Sequence, residues 1–508
     1  MTRPNILLIS SDQHRADCMG HAGRRVKTPN LDALAARGTR FTNCITPTVI
    51  CQPARASILT GQLCRTHGVH DNGIDLDPAI GERGFAGTLA RAGYNTSYFG
   101  KAHFSTYHTH APTGSPECIT SSADYPADWN GPYMGFNHVE LMLIGHNWWA
   151  PPEPPQGHHY ERFYHADGQG AARNKALWTN GGDTKGAAQT WHSQLPERWH
   201  NTTWTADRAI NWLENYDGDQ PFCTWVSFPD PHHPFDCPEP WSRLHDPADI
   251  DLPEHRKRSF EGRPWWHEKV LTAEPTGSKE AAETRKAFSR IPPQTGDQLR
   301  EIIANTYGQI AFIDHNIGRI LAALAASGRA ENTIVIYISD HGDWLGDHGL
   351  ILKGPMHYEG LLRVPMIFAG PGISAGAVVD EPVSTLDLGD TFADYADTQP
   401  GLPQHGTTLR HLAEGHTAPR QFALNEWELL PTRAGVALSL RTVRTKSLKL
   451  TVDLKSGAGE MYDLAADPHE LTNVFDAPAY AERRQELESY LATRPDDMRP
   501  NSVQVGMA

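Results

Sequence analysis

A chain of 508 residues is too long for one small domain and long enough for a large core with a minor domain beside it. Its 45 Lys+Arg against 60 Asp+Glu give a formal charge of −15, which argues against a general binder of nucleic acid or anionic membranes. Seven cysteines scattered without CxxC spacing argue against a disulfide framework or a cysteine zinc site.

The opening "MTRPNILLISSD" runs straight into a strand, with no h-region and no cleavage site, and predicts an unprocessed, cytoplasmic protein. That strand ends at Asp12 and Gln13. "TPNLDALAARGTRF" reads as a helix with Leu31, Leu34 and Ala35 on one face and Gly38 as its stop. "TPTVICQPARASILTG" is a loop entering a helix, with Cys51 at the junction and Pro53 in the first turn, where proline costs no hydrogen bond. "FAGTLARAGYNTSYFGKAH" predicts a helix to Gly93 and then a strand running into Lys101 and His103. Residues 104–200 and 236–295 lack sustained periodicity and are rich in Pro, Gly, His and Trp, as expected of loops that shape a binding mouth or a subunit contact.

"PFCTWVSFPDPHHPF" predicts a strand over 222–228 that ends in a turn carrying His232. Residues 296–328 hold isoleucine and leucine at helical spacing and feed "NTIVIYISDHGD", a buried strand ending at Asp340 and His341. "RVPMIFAG" is a further strand. From about 416 the pattern alternates as in an antiparallel meander, followed by a helix from about Ala477 to Ala492. This alternation predicts a large, mainly parallel α/β sheet with helices on both faces over 1–415 and a small antiparallel α+β domain over 416–508. The longest apolar runs are strand-sized, far short of the roughly 20 residues of a transmembrane span.

In such sheets functional groups collect beyond the carboxyl ends of the strands. Asp12, Lys101, His103, His232, Asp340 and His341 all fall there. Each alone has an ordinary reading as a cap, a turn or a surface residue. With Cys51, Arg55 and Lys353 they make a constellation too concentrated to be structural.

"CQPARASILTG" matches the C-x-P-x-R-x-x-x-x-T-G signature, so the chain resembles the sulfatases of the alkaline phosphatase superfamily. "PNILLISSDQ", "GYNTSYFGKAHF", "PHHPF", "SDHGDWLGDHGLILKG" and "SLKLTVDLKSGAGEMYDLAADPHELTNV" agree with that family in order and spacing, to about residue 475. The resemblance implies an alkaline phosphatase-like fold and hydrolysis of aryl or small alkyl sulfate esters to alcohol or phenol plus sulfate. It also implies conversion of Cys51 by a maturation enzyme to Cα-formylglycine, whose hydrate attacks sulfur to give a covalent sulfo-enzyme. Asp12, Gln13, Cys51, Asp340 and His341 would hold one divalent cation. Gln13 and His341 stand where many members have Asp and Asn, and Ca²⁺ is expected, with Mn²⁺ or Mg²⁺ as alternatives. Arg55 would brace the diol, and Lys101 and Lys353 would bind sulfate oxygens. His232 would be the general acid and His103 the base, with His357 as an extra pocket residue.

Phosphonate monoester and phosphodiester hydrolases share this scaffold and are the nearest alternative, but they lack the Lys/His pair that this chain keeps as "GKAHF". A non-catalytic anion binder would be expected to have lost ligands, and none is missing. A tyrosine-phosphatase-type thiolate loop needs five residues between Cys and Arg; here there are three. The aromatic segment around Trp148 and Trp149 is expected to line the mouth; the oligomeric state is not readable from the sequence, although long insertions of this kind often mediate self-association.

Overall fold

The computed structural model describes residues 3–143, 145 and 149–507. Eight strands form one sheet in the spatial order His138–Met142, Asn95–Lys101, Phe222–Ser227, Asn5–Ser11, Thr333–Ser339, Met366–Ala369, Thr39–Phe41, Ala377–Val379. All neighbours are parallel except the two pairings made by Met366–Ala369, which runs against both its partners.

The central strand Asn5–Ser11 is apolar through Ile9 because it is covered twice. Ile6 and Leu8 point into a core with the Cys51–Thr60 and Phe85–Arg91 helices, through Ile58, Leu59, Phe85 and Leu89. Leu7 and Ile9 point the other way, against Leu31 and Leu34, Leu213, and Ile313 and Ile317 of the long Gly296–Ala326 helix. That helix starts where Thr295 and Gln298 cap each other: each side chain accepts the other's backbone N–H, at 3.2 and 3.0 Å.

The expected helices and strands all form, with ends shifted by a residue or two. The C-terminal helix opens as a 3-10 turn at Pro478–Tyr480 before Ala481–Leu491. The edge strand His138–Met142 arises in a stretch read as loop. It is five residues long and buried on both faces beyond His138, so no alternation announces it.

The last sixth of the chain builds a four-stranded antiparallel sheet, Ala423–Leu429, Leu438–Arg444, Leu448–Asp453 and Gly459–Asp463. One face packs Leu450 and Met461 against Leu487 of the last helix. The other packs Trp427, Leu440 and Tyr462 against Trp344, Met356 and Tyr358 of the large domain. The final residues then run back over the main body: His110 donates to the Val505 carbonyl at 2.9 Å and Met507 to the His108 carbonyl at 3.0 Å. Among the described residues, no helix is long and apolar enough to cross a membrane.

Candidate active site

Four adjacent parallel strands end level with one another, Ser10 pairing with Ser227 and Ser11 with Ser339, so the residues that follow them meet at one edge. The turns are tied together: Asp12 N donates to the Asp230 carbonyl at 3.0 Å and Asp340 N to the Ser11 carbonyl at 3.4 Å. Asp12, Cys51, Asp340 and His341 bring one ligand atom each within 4.8 Å of one another, all buried.

Cys51 is the first residue of the Cys51–Thr60 helix and is only 1% exposed. Its Sγ lies 2.7 Å from Lys353 Nζ, 3.1 Å from His341 Nε2 and 3.7 Å from Asp12 Oδ1. Burial and the Asp12 carboxylate would raise the thiol pKa; Lys353, His341 and Lys101 outweigh them and lower it.

One turn into the helix, Arg55 reaches both acids, with Nε 2.9 Å from Asp340 Oδ2 and Nη2 3.3 Å from Asp12 Oδ2. Its Nη1 donates to the Lys101 carbonyl and to Ser227 Oγ, both at 2.7 Å. Lys101 Nζ lies 2.6 Å from Asp12 Oδ2. Burial would push the Asp12 carboxyl up, but Lys101, His232 and Arg55 hold it well below the usual range, so Asp12 can stay ionised in a buried site.

His341 donates from Nδ1 to the Gly342 carbonyl at 2.9 Å, which leaves Nε2 as its ligating atom. Gln13 adopts φ +67°, a strained conformation for a side-chain-bearing residue. Its amide nitrogen is 2.5 Å from Asp343 Oδ2, leaving the buried Oε1 with no partner. Two buried carboxylates, an imidazole nitrogen and an orphaned amide oxygen together make a donor set that fits a hard or borderline divalent cation. Asp343, which sequence reasoning passed over inside "SDHGD", also accepts the Leu352 N–H at 2.9 Å, and so couples Gln13 to the loop carrying Lys353.

His232 and His233 lie side by side, rings 4.1 Å apart, and both line the pocket with Lys101 and His103. His232 Nδ1 sits 2.5 Å from the His233 carbonyl, leaving Nε2 towards other partners. His103 stands at φ +54°. Its loop is fixed by Glu117, which accepts the backbone N–H groups of His103, Phe104 and Ser105. Burial and the nearby lysines hold His103 and His232 well below the ordinary histidine pKa. His357 lies elsewhere: fully buried, it bonds Thr442 Oγ1 through Nδ1 at 2.8 Å and stacks on Trp427, so it packs the domain junction and does not line the pocket.

The pocket opens over Cys51 with about 750 Å³ of open space. Its outer wall comes from the long insertions and the chain end, including Tyr107, Trp149 and Phe288. Trp149 packs edge-on to Tyr107 at 5.5 Å and to Phe288 at 6.0 Å. Trp148 lies outside the described residues.

A family model described as Sulfatase matches residues 4–398, and one described as N-sulphoglucosamine sulphohydrolase, C-terminal, matches residues 346–497. An arylsulfatase of Clostridium perfringens is 30% identical over 502 residues, covering 96% of this chain and 94% of that protein. A choline-sulfatase of Rhizobium meliloti is 28% identical over 488 residues, covering 94% and 83%. The crystal structure of the phosphonate monoester hydrolase of Agrobacterium radiobacter is similar with a TM-score of 0.75 at 28% identity, covering 97% of this chain and 95% of that one.

Proposed function

The chain belongs to the sulfatase family and is a sulfuric ester hydrolase, and on that premise we propose that it hydrolyses sulfate monoesters of aryl or compact alkyl alcohols at the Cys51 pocket. The observation that carries this reading is the set of cations around Cys51. Lys101, Lys353 and Arg55 outnumber the Asp12 and Asp340 carboxylates, so the site attracts a tetrahedral anion before any metal is counted.

In this reading, conversion of Cys51 to formylglycine by a maturation enzyme would supply a hydrated oxygen nucleophile where Sγ now stands. Asp12, Gln13, Asp340 and His341 would hold one cation, Ca²⁺ suiting the oxygen-rich set best, with Mn²⁺ or Mg²⁺ as alternatives; bound there it would supply Lewis-acid activation. The rest falls to the chain's own groups. Arg55 holds the two carboxylates in place. Lys353 and Lys101 hold non-bridging ester oxygens and stabilise the charge that gathers on them during transfer. The negative charge of the bound ester favours the protonated ring of His232, whose Nε2 then delivers its proton to the leaving oxygen, and His103 takes one up when sulfate departs.

The likeness to the phosphonate monoester hydrolase favours that activity as a second reading. Lys101 and His103 both facing the pocket weigh towards sulfate. The test is kcat/KM of the matured protein for an aryl sulfate and an aryl phosphonate ester, with Cys51→Ala as control. Sulfate preference lost in the control is expected; phosphonate preference would assign the sister activity.

A further inference from the structure

The outer wall of the pocket holds two guanidinium groups that the chemistry at Cys51 does not use. Arg433 is 10% exposed; its Nε lies 2.9 Å from Asp71 Oδ1, and its buried Nη2 has no hydrogen-bond partner. Arg285, from the Lys279–Ser289 helix, donates one N–H to the Met507 carbonyl and, among the described residues, forms no ion pair. Both arginines line the same pocket as Cys51, Lys101 and Lys353. Among the described residues Asp71 is the one carboxylate paired with either, so the wall carries an excess of positive charge and unused N–H donors. Burial, followed by the charge of Arg433, pulls the Arg285 pKa down to about 9.

Arg285 is partly buried and has no ion-pair partner among the described residues, a costly arrangement that persists where something compensates it. The planar fork of arginine matches two oxygens of a carboxylate or a similar oxyanion, a geometry that a lysine does not offer. Tyr107, Trp149 and Phe288 form the apolar part of the same wall, which suits the flat body of a leaving group.

Resting on the reading that this pocket receives the alcohol part of a sulfate ester, we propose that the physiological leaving group carries a second anionic group, a carboxylate or equivalent oxyanion, held by Arg285 and Arg433. The substrate class is then a sulfated hydroxy acid or a doubly sulfated aromatic rather than a neutral or cationic alcohol. Arg285 and Arg433 act as specificity residues, contacting the leaving group rather than the sulfate.

The test compares 3- and 4-carboxyphenyl sulfate, 4-sulfophenyl sulfate and the neutral 4-carbamoylphenyl sulfate as substrates of the matured wild type and of Arg285→Met and Arg285→Lys. The readout is the ratio of kcat/KM for an anionic ester over the neutral one, so a general loss of activity cancels. Arg285→Met is expected to cut that ratio at least tenfold and Arg285→Lys to restore part of it. A ratio unchanged by Arg285→Met overturns the proposal. Preference for one anionic ester over the others identifies which oxyanion fits. Inhibition of the wild type by 4-hydroxybenzoate against 4-hydroxybenzamide tests the same point without any variant: equal inhibition overturns the proposal, and at least tenfold stronger inhibition by the acid supports it. Turnover of the neutral ester reports separately on the sulfatase reading. If no ester is turned over, calorimetric binding of the same two phenols decides the arginine assignment alone.

Discussion

The role proposed for His232 rests on one neighbour. The His233 carbonyl engages Nδ1, so the ring has one nitrogen left to offer a leaving oxygen. An acid in that position matters most when the leaving group is basic, because a good leaving group departs without a proton. His232→Ala is therefore expected to slow esters of weakly acidic alcohols by about 10²-fold or more and esters of nitrophenols far less. A steeper dependence of kcat on leaving-group pKa in the variant is the check; an equal loss across the series would remove His232 from the acid role. Arg55 carries a similar lesson. The motif announces an arginine near the thiol, but not that its donors would go to Asp12, Asp340, the Lys101 carbonyl and Ser227. That could not be read from spacing, since four separate strand ends must converge before the partners exist.

At the scale of the element, the strand ends were legible because a buried apolar run that stops at a charged residue has one plausible place in a parallel sheet. Asn5–Ser11 before Asp12, Asn95–Lys101 and Thr333–Ser339 before Asp340 all follow that rule. One glycine makes the rule work. Gly100 stands at φ +106°, and a Cβ there would sit 2.1 Å from the Ser227 carbonyl oxygen, a contact no side chain can make. Gly100→Ala is expected to cost about 1–3 kcal/mol in backbone strain alone and to displace Lys101 next to it. Differential scanning measurements should show a lowered Tm together with a lower kcat/KM; a normal Tm with normal activity would contradict the argument. The outer wall was illegible for the opposite reason. Arg285, Arg433 and Met507 come from segments with no shared motif, brought together by the fold of the last domain.

At the scale of the whole molecule, acid stability depends on buried pairs that cross between segments. Asp347 lies 2.7 Å from Arg15 and 3.1 Å from His255. Burial would raise its carboxyl pKa, but Arg15, His255 and Arg24 hold it at about 2 against an ordinary 3.8. The folded pKa lies below the unfolded one, so the stabilisation is present above pH 3.8 and fades as pH falls towards 2. Asp347→Asn is expected to lose about 2 kcal/mol at pH 7, with the gap to wild type shrinking to about half at pH 3 in urea unfolding. A gap independent of pH would show that charge is not its source.

The chain end that closes the pocket also sets a clock. Met507 bonds to His108 and Arg285 at the mouth above Cys51, so the wall is finished only after the residues between Cys51 and Met507 have been made. At about 5–20 residues per second, synthesis of the intervening ~450 residues takes roughly 20–90 s. In the folded chain Cys51 is the buried first residue of a helix. On the maturation of Cys51 proposed above, modification and folding would compete in time, and the fraction of active enzyme in a preparation would record which of the two was faster.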